Sequence, residues 1–203
     1  MKIIGEELLQ KEIYKLIAKS NPSESKLIFK SFSEMAGWVY VKGNVNEAEF
    51  SINYSSAVFD TSDFIQFFAE LVNLKDDISI ILDYEGSDPL LYAKKEDKNT
   101  LRFIFAHDYE LFMDDSIDDY SLLSYKIEFD ILINKKDLLK EFYIILHPYL
   151  KDYDSNYADY IDFFNLKKAK KYMDKIKLYL NENTTPEEKE IIKKELKKKK
   201  TKN

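Results

Sequence analysis

Cysteine is absent from this chain of 203 residues, which excludes disulfides, thiol nucleophiles and Cys-ligated zinc or iron–sulfur centres. Glycine is nearly absent too. Gly5, Gly37, Gly43 and Gly86 are too scattered for a dinucleotide fingerprint or a phosphate loop. No G-x-S-x-G elbow occurs, so the hydrolase nucleophile that depends on it is excluded. Imidazole chemistry is confined to His107 and His147, and Arg102 is the only arginine. Long apolar runs are missing: the longest, Phe142–Leu146, is five residues, against roughly 20 for a spanning helix. Acids at Glu6 and Glu7 interrupt any signal-like apolar region. The expectation is a soluble, cytoplasmic protein with no membrane partner.

What is present is charge, aromatics and two alternating patterns. The net charge of −6 hides an asymmetry. Residues 167–203 hold 14 Lys and six acids, a net +8; residues 1–166 hold 17 bases and 31 acids, a net −14. We therefore divide the chain into an acidic domain, 1–166, and a basic helical C-terminal extension, 167–203. An acidic body repels nucleic acid and attracts basic partners. Nucleic acid is expected, if at all, only through the Lys-rich tail.

Periodicity predicts the order of elements. Residues 6–19 carry Leu9, Ile13, Leu16 and Ile17 on one helical face, and Pro22 breaks the helix. Leu27–Phe32, Trp38–Val41 and Ala48–Tyr54 form a first antiparallel meander, with Gly43-Asn44 as a turn. Thr61 or Ser62 caps a helix whose stripe is Phe64, Phe67, Phe68, Leu71 and Val72. Ile78–Tyr84, Leu90–Ala93 and Leu101–Ala106 form a second meander. A long strand follows, with Leu123, Tyr125, Ile127, Phe129, Ile131 and Ile133 on one face and a wet polar face opposite. Helices over 138–149 and from Asp152 complete the chain. Pro148 ends or kinks the first of these, and Thr185-Pro186-Glu187-Glu188 starts the last. That last helix buries little beyond Ile191, Ile192 and Leu196. The fold class is α+β: a largely antiparallel sheet of two meanders plus one long strand, packed by helices.

Chemistry-bearing constellations are few. His107 reads as a strand-end histidine and His147 as a helix-end histidine. Asp152-Tyr153-Asp154-Ser155-Asn156 begins like a calcium loop, but Tyr157 and Phe163 stand where its glycine and bidentate acid belong. No cofactor is expected. The clearest candidate is a partner-binding surface: Asp108, Tyr109, Glu110, Asp114, Asp115, Asp118, Asp119 and Tyr120. Tyr supplies rigid contact area, and acids beside it steer a basic partner. A second cluster, Asp152 to Asp162, alternates acids with Tyr153, Tyr157 and Tyr160.

The strand–helix unit Ala48–Leu74, the Ile80–Gly86 hairpin segment and the strand–helix unit Tyr125–Leu150 together give a layout that resembles the bacterial immunity proteins, which neutralise polymorphic or contact-dependent toxins. The resemblance implies a non-enzymatic inhibitor whose partner is a basic protein, a candidate toxin domain. The alternative is an enzyme with a carboxylate-centred site and a divalent cation.

Overall fold

Strict alternation over residues 125–134 builds the longest strand and sets the inner face of the larger sheet. The structure, a computed structural model, describes residues 14–15, 17–18, 20–56, 59–82, 89–108, 125–156 and 165–200. Tyr14, Lys15, Ile17 and Ala18 are helical. The elements after them are β1 (Ser23–Glu24), β2 (Leu27–Met35), β3 (Trp38–Val45), β4 (Ala48–Ser55), α1 (Thr61–Leu71), β5 (Asp77–Ile81), β6 (Leu90–Lys95), β7 (Thr100–Asp108), β8 (Tyr125–Asn134), α2 (Lys135–Asn156), α3 (Leu166–Asn183) and α4 (Pro186–Lys200).

The class is α+β and the strands pair mostly antiparallel. The two meanders divide between two sheets: β2-β3-β4 stands alone, and β5, β6, β7 and β8 join the short β1 in the order β1-β8-β7-β6-β5. Among the described residues only β1–β8 is parallel. Core residues come from both sheets and all four helices. At its centre Phe68 of α1 and Phe142 of α2 stack nearly parallel, ring centroids 3.7 Å apart. Phe29 of β2 meets both edge-on, at 6.0 and 6.1 Å.

Gly43 does not turn the chain. It lies within β3, opposite Phe50, and the turn falls three residues later at Asn46-Glu47. A Cβ on Gly43 would stand 2.5 Å from both the Ile28 carbonyl oxygen and the Phe50 ring. The glycine is there so that Phe50 can lie over it and reach Phe129 at 5.2 Å. Positive φ is found instead at Asn46 (53°) and in the two-residue β2–β3 hairpin, at Ala36 (53°) and Gly37 (83°).

The helix caps differ from expectation in one case. Asp60, not Thr61 or Ser62, caps α1, accepting from the Ser62 N–H at 2.8 Å. Thr61 and Ser62 are inside the helix and buried. Asp accepts at that position as well as Ser or Thr does, and its place one residue earlier starts the helix one residue earlier. Pro148 lies inside α2 without ending it. The α4 start has the expected capping box: Glu188 N donates to Thr185 Oγ1, and Thr185 N donates to Glu188 Oε2 at 2.8 Å. Ile192 of α4 is buried, but Ile191 is exposed.

The β8 polar face is not uniformly wet. Lys126 and Glu128 are exposed, whereas the Asp130 side chain is only 5% exposed. Asp130 takes a two-pronged pair from Arg102 on β7, Nε at 3.0 Å and a terminal nitrogen at 2.7 Å. The same terminal nitrogen donates to the Ile17 carbonyl and to Ser20 Oγ. This ties the N-terminal helical residues across the outer face of the sheet. A planar fork suits that double task, and a lysine does not supply one. A bulge at Glu128 shifts the β7–β8 register, so Ile127 pairs with Ala106 and joins the outer cluster of Leu90, Tyr92 and Ile104. It therefore leaves the face expected from simple alternation.

The basic helices pack on the acidic body within the same core. Ala169, Met173, Ile176 and Leu180 of α3 are buried there. Lys168 pairs with Asp63 at 2.5 Å and Lys175 with Glu70 at 3.1 Å, both acids on α1.

Two stability outcomes follow. Gly43→Ala should cost about 1–3 kcal/mol through overpacking against Phe50 and Ile28, read from the midpoint of urea unfolding. Arg102→Ala strands a buried carboxylate and should cost about 3 kcal/mol or more, whereas the paired change Arg102→Met with Asp130→Leu should recover most of that loss.

Candidate functional site

The acidic segment singled out by the sequence begins at the end of β7. Asp108 is the last residue of that strand and pairs in register with Tyr125 of β8. Tyr109, Glu110, Asp114, Asp115, Asp118, Asp119 and Tyr120 lie outside the described residues. In the second acidic cluster, Asp152–Asn156 forms the last turns of α2, so the D-x-D-x-N run is helix and not a cation loop. The rest of that cluster also lies outside the described residues.

Both histidines sit in packed surroundings. The His107 ring stands 4.4 Å from Phe105, edge to face. Burial lowers its pKa, opposed by nearby Glu128 and by a bond to the Ser51 backbone. The His147 ring stacks on Tyr143 at 5.1 Å.

A site that no sequence motif announces lies at the opposite end of the β7–β8 ladder, where Thr100 pairs with Asn134. It is a cleft of about 610 Å³. Glu24, Ser25, Lys26 and Leu27 form one wall, with Asn46 at the β3–β4 turn. Thr100, the end of β8 and the α2 residues Asp137, Lys140 and Glu141 form the other. Asn46 holds the first wall in place: its Oδ1 accepts from Lys26 N at 3.0 Å and its Nδ2 donates to Ser25 Oγ at 3.3 Å. Asn134 caps α2 through Lys136 N at 2.9 Å.

Charges of both signs face this cleft. Lys140 binds Asp137 at 2.9 Å. Glu141 is half-buried and its carboxyl forms no hydrogen bond among the described residues. Burial raises its pKa against the pull of Lys140 and Lys26, and Asp137 pushes it further up. The arrangement can hold a polar ligand of mixed charge and present it with one carboxyl that keeps its proton unusually well. Among the described residues, no group of three or more His, Asp or Glu is placed to hold a metal ion.

A third polar cluster is internal. Tyr54 OH, Thr61 Oγ1 and Ser62 Oγ are buried with no well-formed hydrogen bond among the described residues. Beside them in the chain, Ser56 Oγ donates to Glu34 Oε1 at 2.6 Å, and Tyr149 OH donates to Glu34 Oε2.

No protein-family model matches the chain, and neither the curated proteins nor the solved structures give a match.

Glu141 binds its proton more readily in the folded chain than in the unfolded one. Its contribution to stability therefore declines as pH rises from 4.5, the ordinary value, through the raised one. Glu141→Gln should raise the thermal midpoint at pH 7 and change little below pH 4.5, read by thermal unfolding at a series of pH values.

Proposed function

We propose that this chain is a non-enzymatic binding protein of the immunity type, which acts in the cytoplasm and blocks a basic protein partner, a candidate toxin domain. The observation that carries the reading is the β7–β8 connection. The two strands are antiparallel neighbours with Asp108 opposite Tyr125, so a turn of about two to five residues would close the hairpin. Residues 109–124 stand there instead. They hold Glu110, Asp114, Asp115, Asp118 and Asp119 without a single Lys or Arg. Connections this much longer than closure needs are commonly functional.

The pairing of several acids on the packed elements supports the same reading. Asp63, Glu70, Asp130 and Glu188 are each met by a base of this chain. Their charge is spent internally, whereas no base accompanies the acids of 109–124 in sequence. Tyr109, Phe112 and Tyr120 would give a partner contact area once the charges had steered it in. The carboxylate-centred alternative has Glu141 on its side, but Asp137, its neighbour in the cleft, is already held by Lys140.

The test uses the protein encoded by the adjacent reading frame, expressed alone and together with this chain. The expected result is growth arrest by that protein and rescue by this one. Converting Asp114, Asp115, Asp118 and Asp119 to Lys should slow association at least ~10-fold at low salt and flatten its salt dependence, measured by stopped flow. Rescue and association that survive the conversion unchanged would remove the acidic connection from the mechanism.

A further inference from the structure

The C-terminal helices carry a feature that the acidic connection does not explain. Between α2, α3 and α4 lies a groove of about 330 Å³. Tyr143, Leu180, Ile192 and Leu196 supply its apolar surface, and Lys177, Lys189 and Lys193 its charge. No carboxylate lines it. Several lysines at the helix–body contacts are neutralised: Lys168 by Asp63, Lys175 by Glu70 and Lys136 by Glu188. Here they are not. Among the described residues, neither Lys177 nor Lys189 has a carboxylate within 4.0 Å, and Lys193 reaches only Glu190, at 4.0 Å.

Three like charges around one apolar depression repel one another, and an anion between them relieves that repulsion. The volume is at the small end of ligand pockets, enough for one chain or ring and too little for the row of anchors a docked helix presents. The walls are firm. Leu180 and Ile192 belong to the packed core, and the Thr185 capping box fixes where α4 starts. We infer that this groove binds a small anion with an apolar body, an alkyl carboxylate of medium chain length. Its chain would lie on Leu180, Ile192, Leu196 and Tyr143, and its carboxylate would meet the three lysines. The inference stands apart from the capture of a basic partner, which would use the opposite charge on a different part of the chain.

The test is calorimetry and thermal unfolding of the full chain with three ligands of equal tail, each below its micellar concentration: decanoate, 1-decanol and decyltrimethylammonium. Decanoate should bind most tightly and raise the midpoint, decanol less, the cation least. The double change Lys177→Gln with Lys189→Gln should weaken decanoate ~10-fold, as loss of two part-exposed charge contacts implies, and leave decanol unchanged. Leu196→Glu should abolish binding of decanoate; if that variant unfolds, the lysine variant still decides. Equal affinity for all three ligands overturns the inference, as does decanoate binding indifferent to the lysines. Concentration-dependent self-association that Leu196→Glu abolishes overturns it too, because a second copy of the chain would then be the occupant.

Discussion

The contact between Phe68 and Phe142 is the joint on which the molecule turns. Among the described residues the two sheets share no ladder of hydrogen bonds, so side-chain packing is what chiefly holds them together. Phe68 belongs to the helix that follows the small sheet, and Phe142 to the helix that follows the large one. Phe29 of the small sheet and Phe103 of the large sheet pack against Phe68. A second bridge runs through Phe50, which leaves the small sheet to meet Phe105 and Phe129 of the large one. That bridge depends on a missing atom, the Cβ that Gly43 lacks. Fully buried aromatic rings give large burial with fixed geometry, and edge-to-face pairs add to it. The relative placement of the cleft walls follows, because one wall leads into β2 and the other runs from β8 into α2.

Much of the fold was legible because alternation and helical stripes are imposed by burial on one face. Phe129, Ile131 and Ile133 are buried as their spacing required, and so are Phe64, Phe67, Phe68 and Leu71. The failures have a common cause: each depended on a neighbour distant in sequence. Gly43 looks like turn chemistry until Phe50 is placed across from it. Ile127 keeps the two-residue rhythm, but a bulge moves it to the other face. Asp130 sits at an outward position and reads as solvated; only Arg102 and the chain around Ser20 cover it. The cleft was not legible at all. Its lining comes from five separated stretches, and Glu141 becomes distinctive only when burial and two lysines surround it.

The uneven charge of the chain has an internal part and an external part. The internal part is the seam between α1 and α3, where Asp63 and Glu70 meet Lys168 and Lys175. Such part-exposed pairs contribute little stability each, about 0–1 kcal/mol. Their larger consequence is orientation, since they accompany a buried stripe that already fixes α3 on the body. A net charge of −14 over residues 1–166 thus overstates what the body shows to a partner. The acids of 109–124 have no base in their own stretch and sit on a connection longer than closure needs, which is why the functional reading rests on the hairpin connection and not on the net charge.

Helical geometry explains how one basic helix can serve both parts. Lys168 and Lys175 lie seven residues apart, on the side of α3 that faces α1. Lys177, Asn181 and Thr184 follow a different row and face α2 and α4. A helix rotates about 100° per residue, so the two steps from Lys175 to Lys177 carry the side chain more than halfway around. The first row meets carboxylates because α1 offers them at matching positions. The second row meets Tyr143, Ile192 and Leu196, with Lys189 and Lys193 opposite. The acids that would quiet that row are placed elsewhere on α4, where Glu188 has turned to Lys136 and to the Thr185 cap. Charge beside an apolar groove is what remains, and it stems from the order of residues along two helices rather than from the overall lysine content.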